Sequence, residues 1–162
     1  MSTPELPEAD RFSFRVRPVA VPGELRISWR LAVITLMLHH CRQQRASLIK
    51  LHILNDVIRS PSSASLLRRI MAGELGSIWW QTRIEPAFGR ALDLAVGNGL
   101  VEWVGTSQGR GLALTQMGKT AAAEVNALDV LPTEKEILKE FGPAVTEQFA
   151  KTLTSVKEIA HA

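Results

Sequence analysis

The sequence predicts a mainly α-helical protein carrying a small β-hairpin. Three observations lead there. Apolar residues recur at helical spacing through residues 28–42 and 48–58. Two short apolar runs, residues 100–104 and 112–114, flank a glycine-rich polar link at 105–111. Thr115 then stands where a helix cap belongs, with an alanine-rich segment behind it.

Taken in order, residues 1–10 hold two prolines, three acids and little to bury, and read as a disordered start. In residues 11–17, Phe12, Phe14 and Val16 alternate with Arg11, Ser13, Arg15 and Arg17, the pattern of a half-buried strand ending at Pro18. Pro22-Gly23 marks a turn. A first helix over 28–42, capped by Ser28, repeats Trp29, Ala32, Val33, Leu36, Met37 and His40 and is apolar on most sides. Ser47 caps a second helix over 48–58 with Leu48, Leu51, Leu54 and Ile58 on one face. Ser60-Pro61 breaks it, and a third helix runs from Ser63 or Ser65 to Leu75 with Arg68 and Arg69 outward. Residues 76–82 (GSIWWQT) read as a short strand, which would send Trp79 and Trp80 to opposite faces. Pro86 opens the next helix, with Phe88, Ala91, Leu92, Ala95 and Val96 on its apolar face. The hairpin and the Thr115 helix follow. The Thr133–Glu136 spacing predicts a capping box, Gly142-Pro143 an interruption, and residues 144–160 a last helix striped by Val145, Phe149, Leu153, Val156 and Ala160. That stripe could close the domain's own core or dock to a coiled coil or a second copy, and docking is the expectation. The division is therefore residues 1–10, a domain over 11–128 and a helical extension over 129–162.

Net charge is only +3, but it is unevenly spread. Residues 11–69 carry eleven arginines and lysines against two acids, whereas residues 129–162 carry four bases against six acids. A basic front and an acidic tail suggest different partners. No run approaches the roughly 18 apolar residues of a membrane span, and one cysteine, Cys41, leaves no internal disulfide. A cytoplasmic protein with no membrane partner is the expectation.

Motifs for catalysis are lacking. Consecutive residues on a helix point about 100° apart, so His39-His40-Cys41 cannot converge on one ion, and no metal or cofactor is expected. The sequence contains neither a phosphate-binding G-x-x-x-x-G-K-[ST] loop nor a G-x-S-x-G elbow. An enzyme is not expected.

The segment from Ala91 through Gly118 resembles a winged helix-turn-helix domain. AVGNGLVEW resembles the end of that family's third helix feeding the first wing strand, and RGLALTQMGK the second wing strand entering a helix. The resemblance implies a winged helix-turn-helix with an N-terminal strand and C-terminal helices. Across residues 28–125, SLIKLHILNDVIRS, RIEPAFGRALDLAVGNGLVEW and LALTQMGKTAA are similar to the middle component of ABC-three-component (Lamassu-type) antiphage systems. That similarity implies a non-catalytic adaptor joining an SMC-like ATPase to an effector subunit. The alternative is a dimeric DNA-binding regulator. The candidate recognition helix is poorly basic, since Glu85 and Asp93 offset Arg90. Candidate contacts to double-stranded DNA are Arg15, Arg17, Arg68, Arg69, Arg90 and Arg110. Candidate partner anchors are Trp79, Trp80, Phe149 and Val156, tryptophan being common at binding hot spots.

Overall fold

A three-residue strand, hidden between two helices, organises the chain. The computed structural model describes residues 23–159, with side chains from 27 to 155. The disordered start over 1–10 and the strand over 11–17, with Arg15 and Arg17, lie outside the described residues, as does the side chain of Val156. Helix α1 (Gly23–His39) is followed by a single 3₁₀ turn (Arg42–Gln44) and strand β1 (Arg45–Ser47). Helices α2 (Leu48–Arg59), α3 (Pro61–Met71) and α4 (Pro86–Gly97) come next, then the hairpin β2 (Val101–Thr106) and β3 (Gly109–Leu114). Helices α5 (Gln116–Ala127), α6 (Pro132–Ala144) and α7 (Glu147–Ile159) complete a mainly helical fold. The sheet is antiparallel with order β1-β3-β2, and it pairs Ala46 with Leu112 and Trp103 with Leu112 from the two sides.

Several expected boundaries move. The first helix opens at Gly23, directly after the Pro22 turn signal, instead of at Ser28, and stops at His39. It stops because the chain turns through left-handed Gln43 (φ 58°) and Gln44 (φ 54°) into β1, a strand too short to leave a period in the sequence. Ser47 caps α2 as expected, its hydroxyl accepting from the Lys50 N–H at 3.2 Å. Ser60, not Ser63 or Ser65, caps α3, because Pro61 occupies the first helical position where its missing N–H costs nothing. The strand expected at 76–82 is a 3₁₀ turn (Ser77–Trp79) in an otherwise irregular link. The capping box at Thr133 does not form: Pro132 sets the first turn and Leu131 (φ 53°) precedes it. The interruption expected at Gly142-Pro143 comes a few residues later, at Val145-Thr146, with Pro143 in the last turn of α6 and α7 opening at Glu147.

The hairpin is tighter than its glycines suggest, with Ser107-Gln108 as its turn and Gly109 at φ 94°. Thr115 caps α5, its hydroxyl accepting from the Gly118 N–H at 3.1 Å and donating to the Gly99 carbonyl. Two glycines permit the packing. A Cβ on Gly118 would run into the Leu100 carbonyl, and one on Gly111 into the Ala46 carbonyl.

One core runs through the whole fold. It joins Leu36 and Met37 of α1, Leu51 and Leu54 of α2, Phe88 of α4, Leu112 of β3 and Ala122 of α5. Leu138 and Phe141 of α6 and Ala150 and Leu153 of α7 belong to the same cluster. The stripe expected to dock elsewhere thus closes the chain's own core: Val145 and Leu153 are buried and Phe149 is partly buried. Polar ties add to this. Trp29 donates to Glu134 at 3.2 Å, the Ser47 N–H to Glu147 at 2.9 Å, and the buried Lys50 ammonium to the Gly142 carbonyl at 2.8 Å. Among the described residues no helix is long and apolar enough to cross a membrane.

The glycine crossings make a direct prediction. Gly118→Ala forces backbone apart and should lower unfolding free energy by about 1–3 kcal/mol in urea titration. Gly89→Ala, where a Cβ meets nothing within 4 Å, should be neutral or raise it by up to about 1 kcal/mol.

Candidate interaction surfaces

The basic front of the sequence meets a small number of carboxylates. Glu85, the residue before Pro86, turns its carboxylate inward between α1 and α2. It accepts from Arg30 at 2.8 Å and 3.4 Å, from Asn55 at 3.2 Å, and pairs with Arg59 at 2.5 Å. Three helices are tied through that one group. The hydrogen bond from Arg30 first, then that from Asn55 and the two guanidinium charges, hold its carboxyl below the usual range against the opposing effect of burial. Neighbouring Asp56 goes the other way: burial raises its pKa, although it accepts the Arg83 N–H at 2.9 Å. Both acids are committed to protein donors.

The candidate nucleic-acid residues separate. Arg68 makes two hydrogen bonds to Glu140 on α6 (2.6 Å and 2.7 Å), and its guanidinium lies 5.3 Å from the Phe141 ring centroid. Arg69 pairs with Glu74 at 3.3 Å. Both pairs are exposed and contribute at most about 1 kcal/mol each, but they occupy the cations. Arg90 is exposed on α4 with Asp93 and the 40 % exposed Leu94 nearby in sequence. Arg110 stacks over Trp103, 4.4 Å from the ring centroid, because β2 and β3 place these residues on one face. Arg42 and Arg45 have no ion-pair partner among the described residues. They border a polar groove of about 550 Å³ between the 3₁₀ turn, the hairpin turn and the start of α7.

The two tryptophans part company. Trp79 is 65 % exposed and Trp80 only 3 %. Trp80 is therefore a core residue and not a partner anchor. The 3₁₀ turn rotates it inward, where its indole N–H donates to Thr82 at 3.0 Å. Ile78 and Ile84 share the exposure of Trp79, at 70 % and 79 %.

His39 and His40 meet edge to face at 5.2 Å, and neither faces a third ligand: among the described residues no group of three metal-ligating side chains converges. Cys41 is buried, and burial raises its thiol pKa. Burial first, then the charge of His39, lowers the pKa of His40. Sequence reasoning missed the Glu85 clamp. Its partners lie 30 and 55 residues away, and a carboxylate before Pro86 carries no signature of the side it faces.

No protein-family model, no curated protein and no solved structure matches the chain.

Trp80→Ala should cost about 3–5 kcal/mol of stability, whereas Trp79→Ala should stay within about 0.5 kcal/mol, both read by chemical unfolding. The clamp is also pH-dependent. The lowered pKa of Glu85 gives a contribution that is complete above the ordinary glutamate value of about 4.3. That contribution is lost as pH falls through the lower folded value. Wild type should thus exceed Glu85→Gln in stability by a constant margin at pH 5–8, and the margin should shrink below pH 4.

Proposed function

We propose that the chain is a non-catalytic docking subunit on a winged-helix frame, an adaptor that links an SMC-like ATPase to an effector. The frame is supported by the order helix, strand, helices and hairpin, by the sheet order β1-β3-β2, and by α4 leading directly into the hairpin. In that frame α4 is the helix that would read DNA. Its exposed residues include one base, Arg90, and one acid, Asp93, beside the apolar Leu94. Such a face suits protein better than a phosphate track, where affinity grows with each added cation.

One observation carries the reading. Of the seven basic residues described between 27 and 69, five are engaged inside the chain: Arg30 and Arg59 on Glu85, Arg68 on Glu140, Arg69 on Glu74, and Lys50 on the Gly142 carbonyl. The basic front is used largely to hold helices together. The second reading, a dimeric DNA-binding regulator, rests on Arg42, Arg45, Arg90 and Arg110, which remain exposed.

The test is recovery of the tagged chain expressed with its native gene neighbours. An ATPase of the SMC type in fixed ratio is the expected partner. Leu94→Glu or Trp79→Ala should reduce its recovery by about tenfold or more, the scale of a hot-spot loss, without changing the melting of the isolated chain. Recovery of the chain alone, as a dimer that shifts duplex DNA, would decide for the regulator.

A further inference from the structure

The polar groove of about 550 Å³ lies where the 3₁₀ turn before β1, the hairpin turn and the start of α7 meet. Its size is that of sites that take small molecules. Arg42, Arg45 and Lys50 line it together with one carboxylate, Glu147, so the walls carry two net positive charges. Arg42 and Arg45 are exposed and have no ion-pair partner among the described residues. Lys50 is only 4 % exposed, and its ammonium bonds to the neutral Gly142 carbonyl at 2.8 Å. A buried cation without a carboxylate beside it is screened poorly and favours an anion nearby. Glu147 turns its carboxylate inward: one oxygen accepts from the Ser47 N–H at 2.9 Å and the other is buried. The remaining walls are hydroxyl and amide side chains, with Pro143 the single apolar member.

We propose that this groove binds a phosphate monoester on a polyhydroxyl body, the chemistry of a sugar phosphate. The assignment does not rest on the docking-subunit reading. Three arguments support it. The first is charge: a phosphate monoester carries about −1.5 to −2 at pH 7, which matches the walls, whereas each phosphodiester of a nucleic acid carries a single charge. The second is placement. Two guanidinium groups offer planar forks of N–H donors that fit phosphate oxygens in pairs. Between them stand Gln43 (φ 58°) and Gln44 (φ 54°), both left-handed. Such backbone is costly in residues other than glycine and persists where the surroundings impose it, commonly at ligand sites. Arg45 is held further by its place on β1, in register with Ala113 of β3. The third is wall composition. No aromatic or large aliphatic side chain lines the groove, so a nucleobase finds no face on which to stack. Hydroxyls such as those of Ser107 and Thr146, and the glutamine amides, both donate and accept, as the hydroxyls of a sugar require.

The decisive experiment titrates the full chain with glucose 6-phosphate, followed by calorimetry and by amide NMR shifts. The expected result is saturable binding of one molecule per chain with a Kd of about 1 mM or tighter, the shifts centring on residues 42–45 and 106–108. Inorganic phosphate should bind about tenfold or more weakly, having no hydroxyl body to hold, and glucose should not bind. Arg42→Gln/Arg45→Gln, at exposed positions, should weaken binding by about tenfold or more, the scale of a lost charge-assisted hydrogen bond, and leave melting unchanged. Arg90→Gln should leave binding unchanged. Four outcomes would overturn the proposal. One is no saturable binding of glucose 6-phosphate. Another is inorganic phosphate or AMP binding as tightly as the sugar phosphate or more so, which would remove the polyhydroxyl body from the ligand. The third is wild-type affinity in the double variant. The last is displacement of the sugar phosphate by duplex DNA at equal phosphate concentration, which would make the groove a nucleic-acid contact.

Discussion

The pairing of residues 45–47 with residues 111–113 is the constraint on which the rest of the structure depends. Three residues of β1 must find β3 across three intervening helices and the first strand of the hairpin. That closure fixes where α2 begins, because Ser47 is both the last residue of the strand and the cap of the helix. It sets β3 in the centre of the sheet, so that Leu112 and Leu114 enter the core while β2 holds the far edge. The contact is close enough that Gly111 has no room for a side chain against the Ala46 carbonyl. Loop-closure entropy opposes such a long-range pairing, and three residues of ladder do not offset it alone. The core behind the sheet does, through Leu36, Leu51, Leu54 and Leu112, none of which is exposed.

The same economy governs charge. A sequence with a strongly basic front invites a nucleic-acid reading, yet of the seven bases described between 27 and 69 folding directs three to carboxylates from other elements, one to a nearby glutamate and one to a backbone carbonyl. Glu85 neutralises Arg30 and Arg59 at the junction of three helices, and Glu140 brings α6 to Arg68 on α3. The acidic tail is thus in part the internal counter-charge of the basic front. What remains on the surface is mixed: apolar Ile78, Trp79 and Ile84 on one link, and Arg42 and Arg45 beside a polar groove.

Elements with a period or a cap were legible in the sequence. Ser47, Pro86 and Thr115 each announced a helix start by a local mechanism, and the side chains of Ser47 and Thr115 bond where that mechanism requires. The hairpin was visible because apolar runs bracket a polar link. Where two local signals competed, the covalent one won: Pro61 and Pro132 set the helix starts over the nearby serines and threonine, since a fixed φ costs nothing at the first turn. Strand β1 left no signal, being three residues long and defined by its partner. The fate of Trp79 and Trp80 was half legible. Adjacent residues diverge in a 3₁₀ turn as well as in a strand, so one buried and one exposed indole could be read without the right secondary structure. The candidate site was least legible. Whether an arginine meets a phosphate or a glutamate 72 residues away, as Arg68 does, depends on tertiary distance and not on local pattern.

Helices α6 and α7 are integral to one packed body, since Phe141 and Leu153 share a core with α1 and α2. Native-state hydrogen exchange tests this directly by measuring the opening free energy of amides in β3, α2, α6 and the buried part of α7. The prediction is a common value equal to the global unfolding free energy, falling together with added denaturant. Amides of α6 and α7 that exchange through a separate opening of distinctly lower free energy, while β3 and α2 stay protected, would contradict it.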